Sequence, residues 1–414
     1  METPGPVPVP LPGPDDVNLQ RPDAKEAALL ARGMASAAAS SGGLTDVQRV
    51  LIEAVFEAMT GFTVDVGNFE PMSPDAFARA LRHRDERFRG RTVQLMVLFA
   101  LVLRPLPVEV ASQLAAHARA LGVDEEMITL ARRFAEGSLG LAAIDFQRNG
   151  YTATWHPKDA KELHVSTELQ TAWDLAVADP ALADRWAGLE GLPDGTLGRR
   201  VWELYRARGF AFPGLPGSAP PLLAQHDWVH VLADYGTTVE SEVEVFTLIA
   251  RANDDLHAFS LLAMVVSLFE TGYLRTGAGL FESSPGHLSA GRGMAVRLAD
   301  AMRRGALCTD TANNSDSIDF LRVDWFDLAP LPVDQVRTRF CLQHKSAAAI
   351  EAGSVGPWEP GGISPYQLNA GRELAAHQGR RYESFGASLA DGTEPWEIAR
   401  CDIRDAGVRG DDRS

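Results

Sequence analysis

Cysteine is nearly missing from this chain. Three occur in 414 residues, Cys308, Cys341 and Cys401, too few and too widely spaced for a disulfide framework or a CxxC metal clip. A reducing, cytoplasmic setting is the expectation. Long apolar runs are missing too: the longest, Val93 to Leu103 and Leu261 to Phe269, fall well short of the ~18 residues that a membrane span needs, so they read as buried helices. Peripheral contact with a membrane stays open. The start, Met1-Glu2-Thr3-Pro4-Gly5-Pro6, is acidic and proline-rich, without the basic-then-apolar order of a secretion signal. No basic cluster interrupts a formal net charge of -16, which repels phosphate backbones and excludes nucleic acid as an expected partner. Neither a GxSxG elbow nor a phosphate-binding glycine loop occurs, so Ser-His-Asp catalysis finds no support. Clean two-residue alternation and internal repeats are also absent, which argues against a β fold.

What is there is the composition of a folded protein, 45% hydrophobic and 23% charged, long enough for two cores. The pattern predicts an all-α chain, two helical bundles in tandem with flexible N- and C-terminal tails. Residues 1–24 form a proline-rich tail that cannot offset its own ordering. Residues 25–150 read as a helical bundle of unknown role, 151–190 as a connector with a helix around Glu168 to Val177, 191–344 as a metal-binding helical domain, and 345–414 as a mostly irregular extension. Within the first bundle, Ala24 to Ser40 is alanine-rich. Thr45-Asp46-Val47-Gln48 reads as a capping box, and Ser73-Pro74 pairs a capping serine with a proline at the first helical position. Helices are expected at 91–103, 108–121 and 124–136. The histidines of this block, His83 and His117, are isolated, and solvated or structurally satisfied roles fit them.

The residues that carry chemistry lie near the middle of the chain. His226 and His230 are four apart, which on a helix of about 3.6 residues per turn sets both rings on one face. Trp228, Val229, Val231 and Leu232 make that helix apolar nearly all round, so the imidazoles are expected inside the fold, with Asp227 beside them. Gly236 is expected to end this helix, and Thr237-Thr238-Val239-Glu240 to cap the next. On the second helix Val239, Val243 and Phe246 define a core stripe, and Glu242 projects within about 60° of its centre. Glu240 and Glu244 are expected to point toward the cap or solvent. An inward carboxylate is costly unless paired or metal-bound. His226, Asp227, His230 and Glu242 therefore form a candidate ligand set for a divalent metal, with Zn²⁺ the first choice and other divalent ions accepting the same donors. Asp234, His257 and His287 are read as turn or surface residues. Hydrogen bonding of the two histidines to backbone alone is the competing reading.

His226-Asp227-x-x-His230, eleven further residues and Glu242 resemble the HDxxH-x11-E signature of the coenzyme Q biosynthesis protein 4 family. Leu192-Pro193-Asp194-Gly195-Thr196-Leu197-Gly198 is similar to that family's LP-x-G-T-x-G segment. Trp325, Pro330-Leu331 and Val336-Arg337 resemble its closing pattern. The resemblance spans about 190–342. It implies a metal-dependent, lyase-type decarboxylase of ubiquinone (coenzyme Q) biosynthesis that oxidatively removes a ring carboxyl from an aromatic, prenylated precursor. Its partner would be a hydrophobic aromatic or prenylated small molecule, with a homo-oligomer or a biosynthetic complex left open. Two other classes compete: a non-catalytic, metal-stabilised scaffold or quinone-binding protein, and an HD-type metal hydrolase. The apolar stretch Phe259 to Leu268 offers a wall for a greasy tail, or simply core.

Overall fold

The structure is a computed structural model that describes residues 22–123, 178–253 and 293–393, with Leu262 and Val266 in addition; residues 68, 104, 105, 216, 217, 219, 220, 222 and 223 are excepted. The helices expected at 124–136 and around 168–177, most of the stretch 259–268, His257, His287 and Cys401 lie outside the described residues. Among the described residues there are fourteen α-helices and no strand, so the chain is all-α. No helix among them is long and apolar enough to cross a membrane.

Local sequence sets the first five helices. Asp23 accepts from the Glu26 amide at the start of α1 (Ala24–Ala38). The Thr45/Gln48 capping box opens α2 (Asp46–Thr60), as its spacing predicts. Gln48 does more than cap: its side-chain amide donates to the carbonyls of Ala38 and Phe99, each at 2.9 Å, pinning the end of α1 and α4 (Glu86–Leu101) to α2. Ser73 and Pro74 start the short α3 (Pro74–Ala80), and α5 spans Val108–Ala120. The fourth helix begins five residues earlier than expected because Asp85 accepts from the Phe88 amide. His117 is buried, with Nδ1 2.8 Å from the Gln113 carbonyl, and His83 is exposed.

The second part contains α6 (Pro180–Gly188), a 3-10 turn, α7 (Leu197–Arg208), α8 (Gln225–Ala233), α9 (Val239–Ala252), α10 (Met294–Ala306), α11 (Trp325–Leu328), α12 (Val333–Arg339), α13 (Ala347–Glu351) and α14 (Pro365–His377). Two large cores share α9 and α10. One joins Leu30, Leu51, Phe77, Phe99 and Leu114 of the first block to Val239, Val243, Phe246, Met294, Leu298 and Met302. The other packs Trp186, Tyr205, Trp228 and Trp325 against Val245, Leu248 and Ile249 of α9. The two helical bodies therefore meet through shared helices as well as following each other in sequence.

This sharing overturns one expectation. A helix between two cores has no free face, and every residue of α9 except Glu240 is buried. Glu244, expected in solvent, is fully buried and accepts from Arg297 Nη2 at 2.6 Å. Burial on both sides outweighs the one-stripe rule that works for a surface helix.

The extension after residue 345 is irregular over much of its described length, yet it is packed. Ile363, Leu368 and Ala387 form a small core of their own. Buried Arg208 ties it to α7, donating to the carbonyls of Pro357 (2.7 Å) and Gly362 (2.9 Å) and to Thr237 Oγ1 (2.6 Å).

Candidate metal centre

The two histidines lie on α8, whose length is set by its C-terminal cap. The helix ends at Ala233 because Asp234 adopts the left-handed conformation, φ 62°. The expected stop at Gly236 is therefore two residues late. The carbonyls left over at the helix end are taken up one by one: His230 O accepts from Tyr235 N (2.9 Å), Ala233 O from Arg304 Nη2 (2.7 Å) and Leu232 O from Arg337 Nε (2.7 Å). Cations at a helix C-terminus also complement its dipole. Asp234 faces Lys345, with Oδ2 3.4 Å from Nζ.

The start of α9 also differs from expectation. Its cap is Thr238, which makes no side-chain cap hydrogen bond. Thr237 points elsewhere, donating to Gln367 Oε1 at 2.8 Å while it accepts from Arg208. The helix turns back all the same and brings Glu242 to α8.

All four predicted residues meet. Glu242 Oε2 is 3.2 Å from His226 Nε2, and its Oε1 is 3.2 Å from His230 Nε2. Asp227 Oδ1 lies 3.4 Å from His226 Nε2. One ligand atom from each of His226, Asp227 and His230 falls within 4.8 Å of the others. The rings of the histidines are 5.2 Å apart, and Phe246 stacks on His226 at 4.9 Å. His230 and Glu242 are 0% and 2% exposed, whereas His226 and Asp227 keep 4% and 6%, so what access there is lies at the His226–Asp227 end.

Sequence reasoning did not reach the groups that hold these four. Tyr205, on α7, donates its hydroxyl to Asp227 Oδ2. Burial, with the nearby Asp227 charge, pushes the Tyr205 phenol well above its usual range, so it remains the donor. Burial also raises Asp227, against the pull of His226 and His230. Glu242 goes the other way: burial raises it, but the charge of His230 and the contacts of both imidazoles outweigh that and hold it at about 2. His230 Nδ1 is 2.7 Å from the Gly236 carbonyl oxygen. No spacing in the sequence announces Tyr205 or the Gly236 carbonyl, because both contacts arise from tertiary packing.

The donor set suits a divalent cation. His230 Nε2 is fully buried and makes no hydrogen bond to a protein group, although Glu242 is close. A carboxylate facing that nitrogen at 3.2 Å is satisfied only with a proton or a cation between them. Two imidazole nitrogens and the Asp227 carboxylate within 4.8 Å of one another, with Glu242 3.2 Å from both rings, are donors that Zn²⁺ and similar ions take.

The flanking segments converge on the same place. Leu197 N and Gly198 N donate to the carbonyls of Leu331 (2.8 Å) and Ala329 (2.9 Å), and Val333 N donates to Gly195 O (3.2 Å). Gly195 has φ +81°, and a Cβ on Gly198 would sit 2.6 Å from Leu192 and 2.7 Å from Ala329, so both positions call for glycine. Trp325 stacks on Trp228 with centroids 6.0 Å apart and planes 3° from parallel. Arg337 caps the helix that carries the histidines. No protein-family profile, curated protein or solved structure matches this chain.

Proposed function

We propose that the chain binds a divalent cation, Zn²⁺ first, through His226, Asp227, His230 and Glu242, and that it acts as a decarboxylase on an aromatic, prenylated acid, as its resemblance to the coenzyme Q biosynthesis protein 4 family implies. One observation carries this reading: segments 192–198 and 325–337, which share that resemblance, are hydrogen-bonded to each other and packed on the helix of the two histidines.

The resemblance implies an oxidative removal, which needs an external two-electron oxidant; the step proposed for this chain is the decarboxylation itself, in which the bond between the ring carbon and its carboxyl breaks, the electron pair stays on the ring, carbon dioxide leaves and a proton from solvent takes its place. When bound, the cation supplies Lewis-acid stabilisation of the negative charge that develops. The protein's own groups do the rest. Tyr205 fixes one oxygen of Asp227 and leaves the other toward His226. Gly236 fixes the His230 ring, and Phe246 fixes the plane of His226. Substrate would approach at the His226–Asp227 end, where the residual exposure lies.

The near-complete burial of all four residues favours a second reading, a closed structural metal site in a scaffold protein. Metal analysis of purified protein, run beside turnover of prenylated hydroxybenzoic acids followed by mass spectrometry, separates the two. Stoichiometric metal with decarboxylated product supports the enzyme. Metal without turnover of any aromatic acid supports the scaffold, and absence of bound metal after reconstitution defeats both.

A further inference from the structure

The extension after residue 345, which lies beyond the stretch that carries the resemblance, reaches back to the turn that holds His230. That turn is short. From His230 the chain passes Asp234, whose left-handed backbone ends α8, and arrives at Gly236, whose carbonyl oxygen is 2.7 Å from His230 Nδ1. The extension sets where this carbonyl sits. The Gly236 amide donates to the Val355 carbonyl at 2.9 Å and the Thr237 amide to the Gly362 carbonyl at 3.0 Å. The two backbones approach so closely that a Cβ on Gly236 would sit 2.8 Å from Gly362 Cα, which gives Gly236 a reason other than ending a helix.

Gln367, on α14, braces the next peptide. Its Nε2 donates to the Thr237 carbonyl at 2.8 Å and its Oε1 accepts from the Thr237 hydroxyl at 2.8 Å, while Arg208 Nε donates to that hydroxyl at 2.6 Å. Gln367 and Thr237 are each 1% exposed, so losing either bond leaves a buried polar group unpaired. Only an amide makes both. Gln367 also completes the capping box of Ser364, with Oε1 3.2 Å from the Ser364 amide, but glutamate caps a helix as well as glutamine does. A carboxylate accepts without donating, so the bond to the Thr237 carbonyl is what calls for glutamine.

We infer that Gln367 is a positioning residue for the candidate metal centre: by bracing Thr237 it fixes the Gly236 carbonyl, which orients the His230 ring and so presents Nε2 to Glu242. Groups behind a ligating histidine hold its tautomer and ring plane. The inference rests on the reading of His230 as a metal ligand, and it makes the extension part of the centre without supplying a ligand.

Ring N–H signals of the full chain, carrying isotope-labelled histidine and stripped of metal with a chelator, test the positioning apart from the metal. His117, with Nδ1 2.8 Å from the Gln113 carbonyl in the first block, is the internal reference. The His230 Nδ1 proton should exchange slowly with solvent in the wild type and in Thr237→Ser, and faster in Gln367→Met and Thr237→Val, with the His117 signal unchanged. Ser364→Ala, which removes the other half of the α14 cap, should leave His230 as it is. Zinc affinity of Gln367→Met and Thr237→Val should fall by roughly tenfold, the low end of what losing a group behind a metal ligand costs. An unprotected His230 proton in the wild type, equal protection in either folded variant, or the same loosening by Ser364→Ala overturns the inference. Protection lost in the two variants while the wild type binds no zinc would support the positioning and defeat the metal reading instead.

Discussion

His230 turns Nδ1 toward the carbonyl oxygen of Gly236, 2.7 Å away, and so presents Nε2 to Glu242, 3.2 Å away. A carbonyl only accepts, so Nδ1 carries a proton, and in the neutral ring Nε2 is left with its lone pair. Facing a carboxylate, that nitrogen is comfortable only with a proton or a metal on it. The two compete. Metal binding should release protons, and affinity should fall as the solution is acidified, because a nitrogen that binds the metal cannot also carry a proton. Chelator-competition titrations at several pH values check this; an affinity that does not change with pH would remove the imidazoles from the ligand set.

The two glutamates of α9 should separate metal from stability. Glu242→Gln weakens a carboxylate that spans both imidazoles, and metal content per chain should drop sharply. Glu244→Ala should keep its metal but lose about 3–5 kcal/mol of stability, since it strands the buried Arg297 guanidinium. Metal analysis and urea melts of both variants are the measurement. Equal metal loss in the two would mean that Glu242 has no special place.

Tyr205 acts through Asp227. Removing its hydroxyl frees one carboxylate oxygen without touching a ligand, an effect that at other metal sites costs roughly 10–100-fold in affinity. Tyr205→Phe should therefore weaken metal binding by about that factor and leave the helical content unchanged. An unaltered affinity would show that Asp227 is held well enough by its own helix, or does not bind the metal.

How much of this was legible in the sequence depends on whether the signal was local. The capping box of Thr45 and Gln48, the Ser73-Pro74 start and the facing of His226 and His230 all follow from residues within one turn of each other, and each appears as read. Glu242 was placed inward by its angle from Val243 and Phe246, and it is inward. The same argument failed for Glu244 because it assumes one core, whereas α9 lies between two. The run Val243 to Ala250, apolar on nearly every side, held that information. Tyr205, the Gly236 carbonyl and Arg304 reach the site from elsewhere in the chain, and no periodicity points to them.

Asp310 and Arg339 give a pH signature away from the site. Arg339 Nε and Nη2 reach the two carboxylate oxygens at 3.1 and 3.2 Å. Burial opposes ionisation, but these contacts and those of Asn313 hold the Asp310 carboxyl below its ordinary range. A depressed carboxyl contributes stability that is present above its unfolded pKa and is lost as the pH falls through the folded one. Wild type should thus lose stability in the strongly acidic range by more than Asp310→Asn does. Acid titrations of the unfolding midpoint compare them; identical acid limbs would count against the pair.

The shared helices make the last prediction the broadest. Val239, Val243 and Phe246 on α9, with Met294, Leu298 and Met302 on α10, are buried against helices of the first block. A fragment beginning at residue 178 would expose all six as one contiguous apolar face, larger than soluble monomers commonly tolerate. Phe246 also stacks on His226, so loosening that face should loosen the ligand set. The fragment should therefore aggregate or bind a hydrophobic dye, and its metal affinity should fall even though it retains His226, Asp227, His230 and Glu242. Supplying residues 1–177 as a separate chain should restore part of both properties, because the face would again be covered. A fragment that is monomeric, unfolds cooperatively and binds metal as the full chain does would show that the first block contributes nothing to the centre.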